Sequence, residues 1–554
     1  MKEWNTACID WENRIVNRES LINVDPLFEA EAEEALEVFN ELQVVDVVGS
    51  PKIGDIARPW IVEFVSAVFG SYDPAIGRRM IQEFFLLISK KNSKSTTAAH
   101  IMLTALIRNW RESGEFLILA PTIEVANNSF APARDAINAD EELSKLLHVQ
   151  DHTRTITHRL TNATLKVVAA DNETVTGKKA IGVLIDELWL FGKKHNAENM
   201  LREATGGLAS RPEGFVIYLT TQSDEPPAGV YRQKLMYARG VRDGEIKDKK
   251  FLPVLYEFPK KMIDADDHLK PENFYITNPN LGASVDNEFL ERQLTMATND
   301  GAESLAGFMS KHLNVEIGIS LRSNRWAGAE FWSQCGIKLT LDDLIERSEV
   351  IDVGIDGGGL DDLLGLCVLG REKGTQNWLA WHHAWAHPSV LERRKAEAPR
   401  FKDFEKDGDL TIVPVIGVDV HEASDIVEKI ERSDLLDKVG VDPIGIGAIL
   451  DELEDRKIPE DKIIGVSQGW RLGGAIKTTE RRLAQRSIIH SHQNMMDWCV
   501  GNALVEPRAN SIMITKQLSG SAKIDPLMAM FNAVTLMSLN PDAMTEKYQM
   551  FSIT

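Results

Sequence analysis

The chain has 554 residues, 43% hydrophobic and 26% charged, with 38 Gly and 21 Pro, a composition that excludes collagen-like, disordered and disulfide-scaffold proteins. No apolar run approaches the roughly 18–20 residues that span a bilayer, the polar start MKEWNTACIDWENR is not a secretory signal, and Cys8, Cys335, Cys367 and Cys499 stand singly, without zinc spacing, as in a reduced cytoplasmic protein. Lys+Arg of 62 against Asp+Glu of 83 give a net charge of −21, which argues against a chain that coats nucleic acid but not against one that grips a polyanion locally or holds metal ions with carboxylates.

Residues 1–50 read as an acidic helical segment, because Glu29–Val45 carries apolar residues at helical spacing. From residue 51 to 245, short apolar runs alternate with helical stretches. Phe84–Ile88 is followed by the helical KSTTAAHIMLTALIRNW, and Phe116–Pro121 by IEVANNSFAPARDAI. TRTITHRL and ATLKVVAA form a hairpin, and Ile181–Glu187 and Phe215–Thr221 are further strands. Such alternation predicts an α/β domain with a mostly parallel sheet. Residues 246–340, with charge pairs and the turn NPNLG at Asn278–Gly282, read as a connector. In 341–554 the strands restart: VIDVGID, LLGLCVLG, NWLAWHHAWA and Thr411–Gly417. The helix ASDIVEKIERSDLL, the strand VGVDPIG and a last helix, DPLMAMFNAVTLMSL, follow.

Two ordered constellations carry chemistry. In FFLLISKKNSKS a strand, a polar loop ending Lys-Ser and a helix have the P-loop layout, in which backbone N–H groups and a helix N-terminus cradle phosphates. Lys90, Lys91, Asn92, Ser93, Lys94, Ser95 and Thr96 are then the nucleotide-binding loop, with Lys94 on the phosphates and Ser95 on Mg²⁺. Ile88 and Ser93 stand where such loops carry Gly, and a basic loop at a helix start is the plain alternative. Downstream, the strand Ile181–Ile185 ends in Asp186-Glu187. Asp186 can reach the metal, and Glu187 can orient or deprotonate the attacking water; an acidic turn is the alternative. Phe215–Ser223 ends a strand with hydroxyls and an amide, the position that couples phosphate state to the DNA-gripping part in translocating ATPases; a capped strand end is the plain alternative. In the second half, Asp356 ends a strand before a glycine turn, Asp442 ends another, and Asp525 opens the last helix. Three such carboxylates can hold two metal ions about 4 Å apart, the plan of an RNase H-like nuclease. Each taken alone is a turn or cap residue, and Asp525 before Pro526 reads as an N-cap. Asp361 and Asp362 are auxiliary ligands or solvated turn acids. His382, His383, His387, His490 and His492 lack partners at zinc spacing and read as structural or solvent-facing residues, with a place near the nuclease floor as the alternative for His490 and His492.

The two halves, from about Gly54 to Leu536, resemble the large terminase subunit of tailed bacteriophages, in its prophage-type branch. The resemblance rests on RPWIVEFVSAVFG, KKNSKS, VLIDELW, GGLASRPEG, YLTTQS, VGIDGGGLDD, VSQGWRL, IIHSHQNMMDWCVGN and KIDPLMAMFNA. It implies a P-loop ATPase motor over 51–245 and an RNase H-like nuclease over 341–554, which pump double-stranded viral DNA into a procapsid and cut the concatemer. It implies ATP and Mg²⁺ for the motor and two Mg²⁺ or Mn²⁺ for the nuclease. The implied partners are double-stranded DNA, a small terminase subunit and the portal protein, with a homo-oligomeric ring when docked and a monomer as the alternative in solution. No membrane is involved, and the setting is the cytoplasm of the host, outside the mature virion. By position, Lys94, Ser95 and Asp186 serve nucleotide and metal, Glu187 is catalytic, Thr220, Thr221 and Gln222 form the coupling segment, and Asp356, Asp442 and Asp525 the nuclease triad. Lys90-Lys91 match a basic pair of the family loop. Arg202 and Arg211 are candidates for a trans-acting arginine. Ile61 replaces a Gln that reads adenine, and Ser93 replaces a loop Gly, costing on the order of 1 kcal/mol if the backbone there needs positive φ. A helicase-nuclease of repair or restriction, and a degenerate P-loop protein that docks DNA, are the other readings.

Overall fold

The computed structural model describes residues 3–169, 180–194, 196–317, 326–359, 362–395, 397–443, 447–508, 511–515 and 523–544. The chain forms two units, Met1–Ile317 and Gly318–Thr554. No helix among the described residues is long and apolar enough to cross a membrane.

The main sheet of the first unit has eight strands. In chain order they are β1 (Glu83–Leu87), β2 (Glu115–Ala120), β3 (Leu147–Gln150), β4 (Thr155–His158), β5 (Thr164–Ala169), β6 (Ala180–Ile185), β7 (Phe215–Thr220) and β8 (Phe251–Leu255). Across the sheet they run β8-β1-β7-β6-β2-β5-β4-β3. Every pairing from β8 to β5 is parallel, and β5–β4 and β4–β3 are antiparallel. Every residue of β6 and β7 is buried, as expected of parallel strands covered on both faces, which is why they read as unbroken apolar runs. Helix α1 (Glu29–Glu41) buries Ala32, Ala35 and Phe39 and packs on α2 (Pro59–Phe69), which starts on a proline, the residue best suited to a first helical turn. Helices α3 (Lys94–Ile107), α4 (Ile123–Asn138), α5 (Gly229–Arg242) and α6 (Ala302–Leu313) complete the parts that position the site. The stretch expected as a connector contributes β8 as an edge strand beside β1, and its residues up to Ile317 belong to this unit.

The second unit is built on β9 (Gly336–Ile337), β10 (Ser348–Gly357), β11 (Leu363–Glu372), β12 (Trp378–Ala386), β13 (Leu410–Ile412), β14 (Leu436–Val441), β15 (Ile463–Gly465) and β16 (Ile488–Ser491). The order is β9-β16-β12-β11-β10-β14-β15, with β13 beside β12. β10, β11 and β12 form an antiparallel meander, and β14, β15 and β16 add in parallel. The strand expected over Thr411–Gly417 stops at Ile412, two residues before Pro414, a residue that cannot donate to a ladder. Helices α7 (Val418–Glu431), α8 (Gly473–Ala484), α9 (Asn494–Asn502) and α10 (Asp525–Met537) surround the sheet. α10 lies on β10 and β11 because glycines let its backbone come close. A Cβ on Gly354 would stand 1.9 Å from Ala529 O, and one on Gly365 2.6 Å from Pro526 N. Ile524, not Asp525, occupies the cap of α10, and Asp525 is its first helical residue.

Candidate functional site

The first site lies where β1 and β6 end, with β7 between them, at the carboxyl edge of the parallel sheet where α/β proteins place ligands. β1 runs into a loop that turns at Lys91 (φ 71°) and Ser93 (φ 56°) and enters α3 at Lys94. Ser93 thus does sit in the left-handed region, and the strain expected of a residue with a Cβ, on the order of 1 kcal/mol, is present. Glu187 is left-handed too (φ 51°). Three side-chain-bearing residues held this way in one site is the pattern of a loop shaped for a ligand.

The side chains converge from positions 91 and 93 residues apart in the chain. Lys94 Nζ makes an ion pair with Glu187, and Ser95 Oγ donates to Asp186 Oδ2 at 3.2 Å. Ser129 Oγ, from α4, donates to the same oxygen at 2.6 Å, and the Glu187 N–H donates to Asp186 Oδ1 at 2.9 Å. Burial, with the adjacent Glu187 charge, pushes the Asp186 carboxyl up, against the pull of Lys94 and Ser129. Burial would also raise Glu187, but Lys94 and the Trp189 indole N–H hold it below the usual carboxylate range. Burial would lower Lys94, and the two carboxylates outweigh it. Beside these groups is a cavity of about 620 Å³ lined by Lys91, Ser93, Lys94, Ser95, Thr96 and Asn128 among others. A hydroxyl and a carboxylate side by side are the oxygen donors that Mg²⁺ prefers, and a lysine at the start of a 14-residue helix suits phosphate. The residues fit a nucleotide with its metal.

The rest of the loop is held by groups that no motif announced. Asn92 is fully buried. Its amide donates to Ser89 O and to Asn278 Oδ1 (2.9 Å), and its carbonyl accepts from the Asn280 N–H (3.0 Å). Trp60 Nε1 donates to Asn280 Oδ1 at 2.7 Å. The turn Asn278–Gly282 therefore braces the loop Lys90–Thr96. The Lys90 N–H donates to Lys311 O at 2.8 Å and Ser284 Oγ to Lys91 O at 2.7 Å. At the end of β7, Thr220 Oγ1 accepts from the Trp189 N–H and donates to Thr221 O, and Thr220, Thr221 and Gln222 are fully buried. All four polar groups of Gln222 are engaged. Its N–H donates to Asn314 Oδ1 (3.2 Å), and its carbonyl accepts from Lys311 Nζ (2.8 Å). Its Oε1 accepts from Tyr231 OH (2.7 Å), and its Nε2 donates to Glu257 (3.4 Å). Glu257 in turn is clasped by Arg239 and Arg242. Lys311 Nζ also lies 3.1 Å from the centre of the Trp189 ring, and burial pulls its ammonium down to about 7. Arg202 is exposed and donates to Asn199, while Arg211 is half-buried. Ile61 is buried in α2.

In the second unit, Asp356 is the next-to-last residue of β10, opposite Gly365, the glycine on which the start of α10 rests. Asp525 is fully buried, and a Cβ on Gly357 would lie 3.5 Å from Asp525 Cβ. Val441 pairs with Ile355 on the neighbouring strand, so Asp442 follows at the level of Asp356. A Cβ on Gly440, two residues before Asp442, would point at Asn532 of α10, as the Cβ on Gly354 points at Ala529. Strand alternation then directs Asp356 and Asp442 to the α10 face. Carboxylate oxygens suit hard divalent cations. Among the described residues, no three His, Cys, Asp or Glu side chains are grouped as a preformed metal cluster. Lys523, buried two residues before Asp525, makes an ion pair with Asp362 at 2.6 Å, so Asp362 is not simply a solvated turn acid. Asp361 lies outside the described residues. His382 is buried and His383 accepts from or donates to Thr411 Oγ1 across β13. His490 stacks on Trp332 with ring centres 3.7 Å apart.

The two units define a class of protein, a P-loop ATPase joined to an RNase H-like nuclease. The family described as the terminase large subunit, ATPase domain, matches residues 59–240, and that described as the terminase large subunit, endonuclease domain, matches residues 245–540. The terminase large subunit of Lactococcus phage p2 is 21% identical over 471 residues, 82% of this chain and 82% of that one. Protein YmfN of Escherichia coli (strain K12) is 22% identical over 359 residues, 62% of this chain and 74% of that protein. The large terminase of bacteriophage HK97 is a structural relative at 20% identity with a TM-score of 0.48, covering 91% of this chain and 99% of that one. The chain belongs to the terminase large-subunit family. It is an ATPase and an endonuclease that packages phage DNA and cuts it, with use of a nucleotide and of divalent metal.

Proposed function

We propose that ATP is bound by the loop Lys90–Thr96, with Lys94 on the phosphates, Ser95 and Asp186 on Mg²⁺, and Glu187 as the group that orients and deprotonates water. The observation that carries this reading is the pairing of Lys94 with Glu187 and of Ser95 with Asp186. It brings a lysine suited to phosphate beside a carboxylate suited to water activation, and a hydroxyl beside a carboxylate, the oxygen donors that suit Mg²⁺. Mg²⁺, when bound, neutralises phosphate charge. Gln222 is the coupling residue: it takes up what happens at Glu187 and Trp189 through Thr220, and passes it to Lys311 and Asn314. Arg202, exposed on its helix, is better suited than Arg211 to act on a neighbouring copy in a ring.

Asp356, Asp442 and Asp525 would hold two Mg²⁺ or Mn²⁺ ions, which supply an activated water and stabilise the leaving oxygen. Lys523, tied to Asp362, limits repulsion among these carboxylates. The chain works in the cytoplasm of the infected host, with a small terminase subunit, a portal protein and double-stranded DNA as partners. Two variants test the division of labour. Glu187→Gln should bind ATP and lose turnover by about 10²–10⁴-fold while still nicking plasmid DNA in Mn²⁺. Asp356→Asn should show the reverse. Loss of both activities in either variant, or of neither, defeats the assignment.

A further inference from the structure

A chain of net charge −21 that handles DNA needs a local basic surface. Residues 469–486 carry five cations, Arg471, Lys477, Arg481, Arg482 and Arg486, against one carboxylate, Glu480. The segment begins beside the three aspartates. The Val466 N–H donates to Val441 O at 2.8 Å, the residue before Asp442. Gln468 Nε2 donates to Asn532 Oδ1 at 2.9 Å, and Asn532 Nδ2 donates to Ile355 O at 2.9 Å, the residue before Asp356. The short turn Gly469–Leu472 then leads into α8.

α8 buries Ala475, Ile476, Thr479 and Leu483. Its opposite face, prolonged by the turn, exposes Trp470 (60% accessible), Arg471, Gly474, Lys477 and Arg481. Residues 471, 474, 477 and 481 are spaced by three, three and four, so they lie along one side of a helix. Three of the five cations have a neutral partner within the unit: Arg482 lies 3.6 Å over the Trp378 ring, Arg486 donates to Gln334, and Arg471 lies 5.4 Å over the ring of its neighbour Trp470. Arg471, Lys477 and Arg481 make no ion pair among the described residues. Most other arginines of this unit for which contacts are given sit on carboxylates, as Arg347, Arg371, Arg432 and Arg456 do. Lys477 and Arg481 are one turn apart, about 6 Å along the axis. Three exposed cations without an ion pair, Lys477 with Glu480 near it and Arg471 over the exposed Trp470 indole, form a row that suits the evenly spaced charges of a polyanionic backbone.

We propose that the face of α8 from Trp470 to Arg481 holds the phosphate backbone of duplex DNA next to the cleavage site. Arg471, Lys477 and Arg481 each meet a phosphate, and Trp470 packs on the sugar edge. The inference rests on the nuclease reading for its geometry, and its test does not require cutting.

The test uses the full chain and a fluorescent duplex of about 40 base pairs, titrated by anisotropy in EDTA at KCl from roughly 50 to 200 mM. The triple variant Arg471→Ala, Lys477→Ala, Arg481→Ala should bind about 10- to 100-fold more weakly at about 150 mM salt. Its log K against log salt slope should be shallower by about 2–3, since each phosphate contact contributes about 0.9. The charge-matched control Lys402→Ala, Lys406→Ala, Lys457→Ala, at other exposed positions of the unit, should change the slope by less than about 1. The swap Arg471→Lys, Lys477→Arg, Arg481→Lys should keep the wild-type slope, which separates charge from misfolding. Equal slopes for the two alanine triples overturn the proposal. If Asp356→Asn still cuts while the α8 triple loses slope, the nuclease assignment fails and this surface stands. If Asp356→Asn is inactive and the slope does not move, the surface fails and the nuclease assignment stands.

Discussion

Gly354→Ala tests how the nuclease carboxylates are brought together. Gly354 is two residues before Asp356 on β10, and its missing Cβ is where the α10 backbone rests. An added Cβ would meet Ala529 O at 1.9 Å and Ala533 N at 2.7 Å. Real Cβ atoms essentially never come within 3.0 Å of such atoms, so helix and strand must part by at least about 1.1 Å at this point. The obstacle is backbone, which no rotamer change relieves. Overpacking of a well-filled core costs about 1–3 kcal/mol or more, and a displacement of about 1 Å at a reacting centre can cost about 10²-fold in rate. α10 carries Asp525, so the expected result is plasmid cleavage in Mn²⁺ lowered by about 100-fold or more and a lower melting temperature for the second unit. ATP turnover should be unaffected. Gly474→Ala is the control: the position is exposed in α8 with nothing within 4 Å of an added Cβ, so the variant should gain a few tenths to about 1 kcal/mol in stability. A Gly354→Ala protein that cuts and melts like the wild type would falsify the close-approach argument.

Three further outcomes follow from the same geometry. Asn92→Ala leaves the Asn280 N–H and Asn278 Oδ1 buried without their partner and should cost about 1–3 kcal/mol; ATP binding, measured by titration calorimetry, should weaken with it, and unchanged affinity would remove the bracing role of the asparagine turn. Lys311→Met removes the cation on the Gln222 carbonyl without touching the phosphate loop's own side chains. It should keep ATP binding and lose most of the stimulation of turnover by DNA, and full stimulation would disconnect Lys311 from coupling. Asp352 is fully buried on β10, accepts from the Lys438 N–H, and is pushed up to about 8, chiefly by burial and then by Asp437. A carboxyl with a raised folded pKa is protonated in the fold and ionised in the unfolded chain between about pH 4 and pH 8. Stability should therefore fall as pH rises through that window, by up to about 1.4 kcal/mol per pH unit from this group. Asp352→Asn should flatten that dependence in denaturant titrations, and parallel curves for the two proteins would count against it.

Much of the fold was legible in the sequence because parallel strands covered on both faces must be continuously apolar. β6 and β7 are such runs, and each ends in residues proposed to carry chemistry. The hairpin β4–β5 and the helices α3, α4 and α10 were legible for the same reason, periodicity matched to burial. The order of the carboxylates and of the Lys-Ser loop was legible as well, since chain order survives without coordinates. The strained loop could be anticipated only conditionally, from a serine standing where glycine is usual.

What the sequence could not supply is whatever depends on residues meeting from far apart. Ser129 on Asp186, Asn278 and Asn280 on Asn92, and Lys311 and Asn314 on Gln222 carry no local signal. They are ordinary polar residues whose role comes from being buried against a backbone group that would otherwise lack a partner. The stretch read as a connector was polar and turn-rich, and only tertiary pairing turned Phe251–Leu255 into an edge strand beside the phosphate-loop strand. The net charge of −21 is likewise a property of the sequence, but where cations stand unopposed is not. Charge is summed along the chain, whereas compensation is decided in space, by which carboxylate reaches which arginine. That is why the total excess could be counted from the sequence, and why the basic face of α8, whose exposed cations make no ion pair, emerged only from the fold.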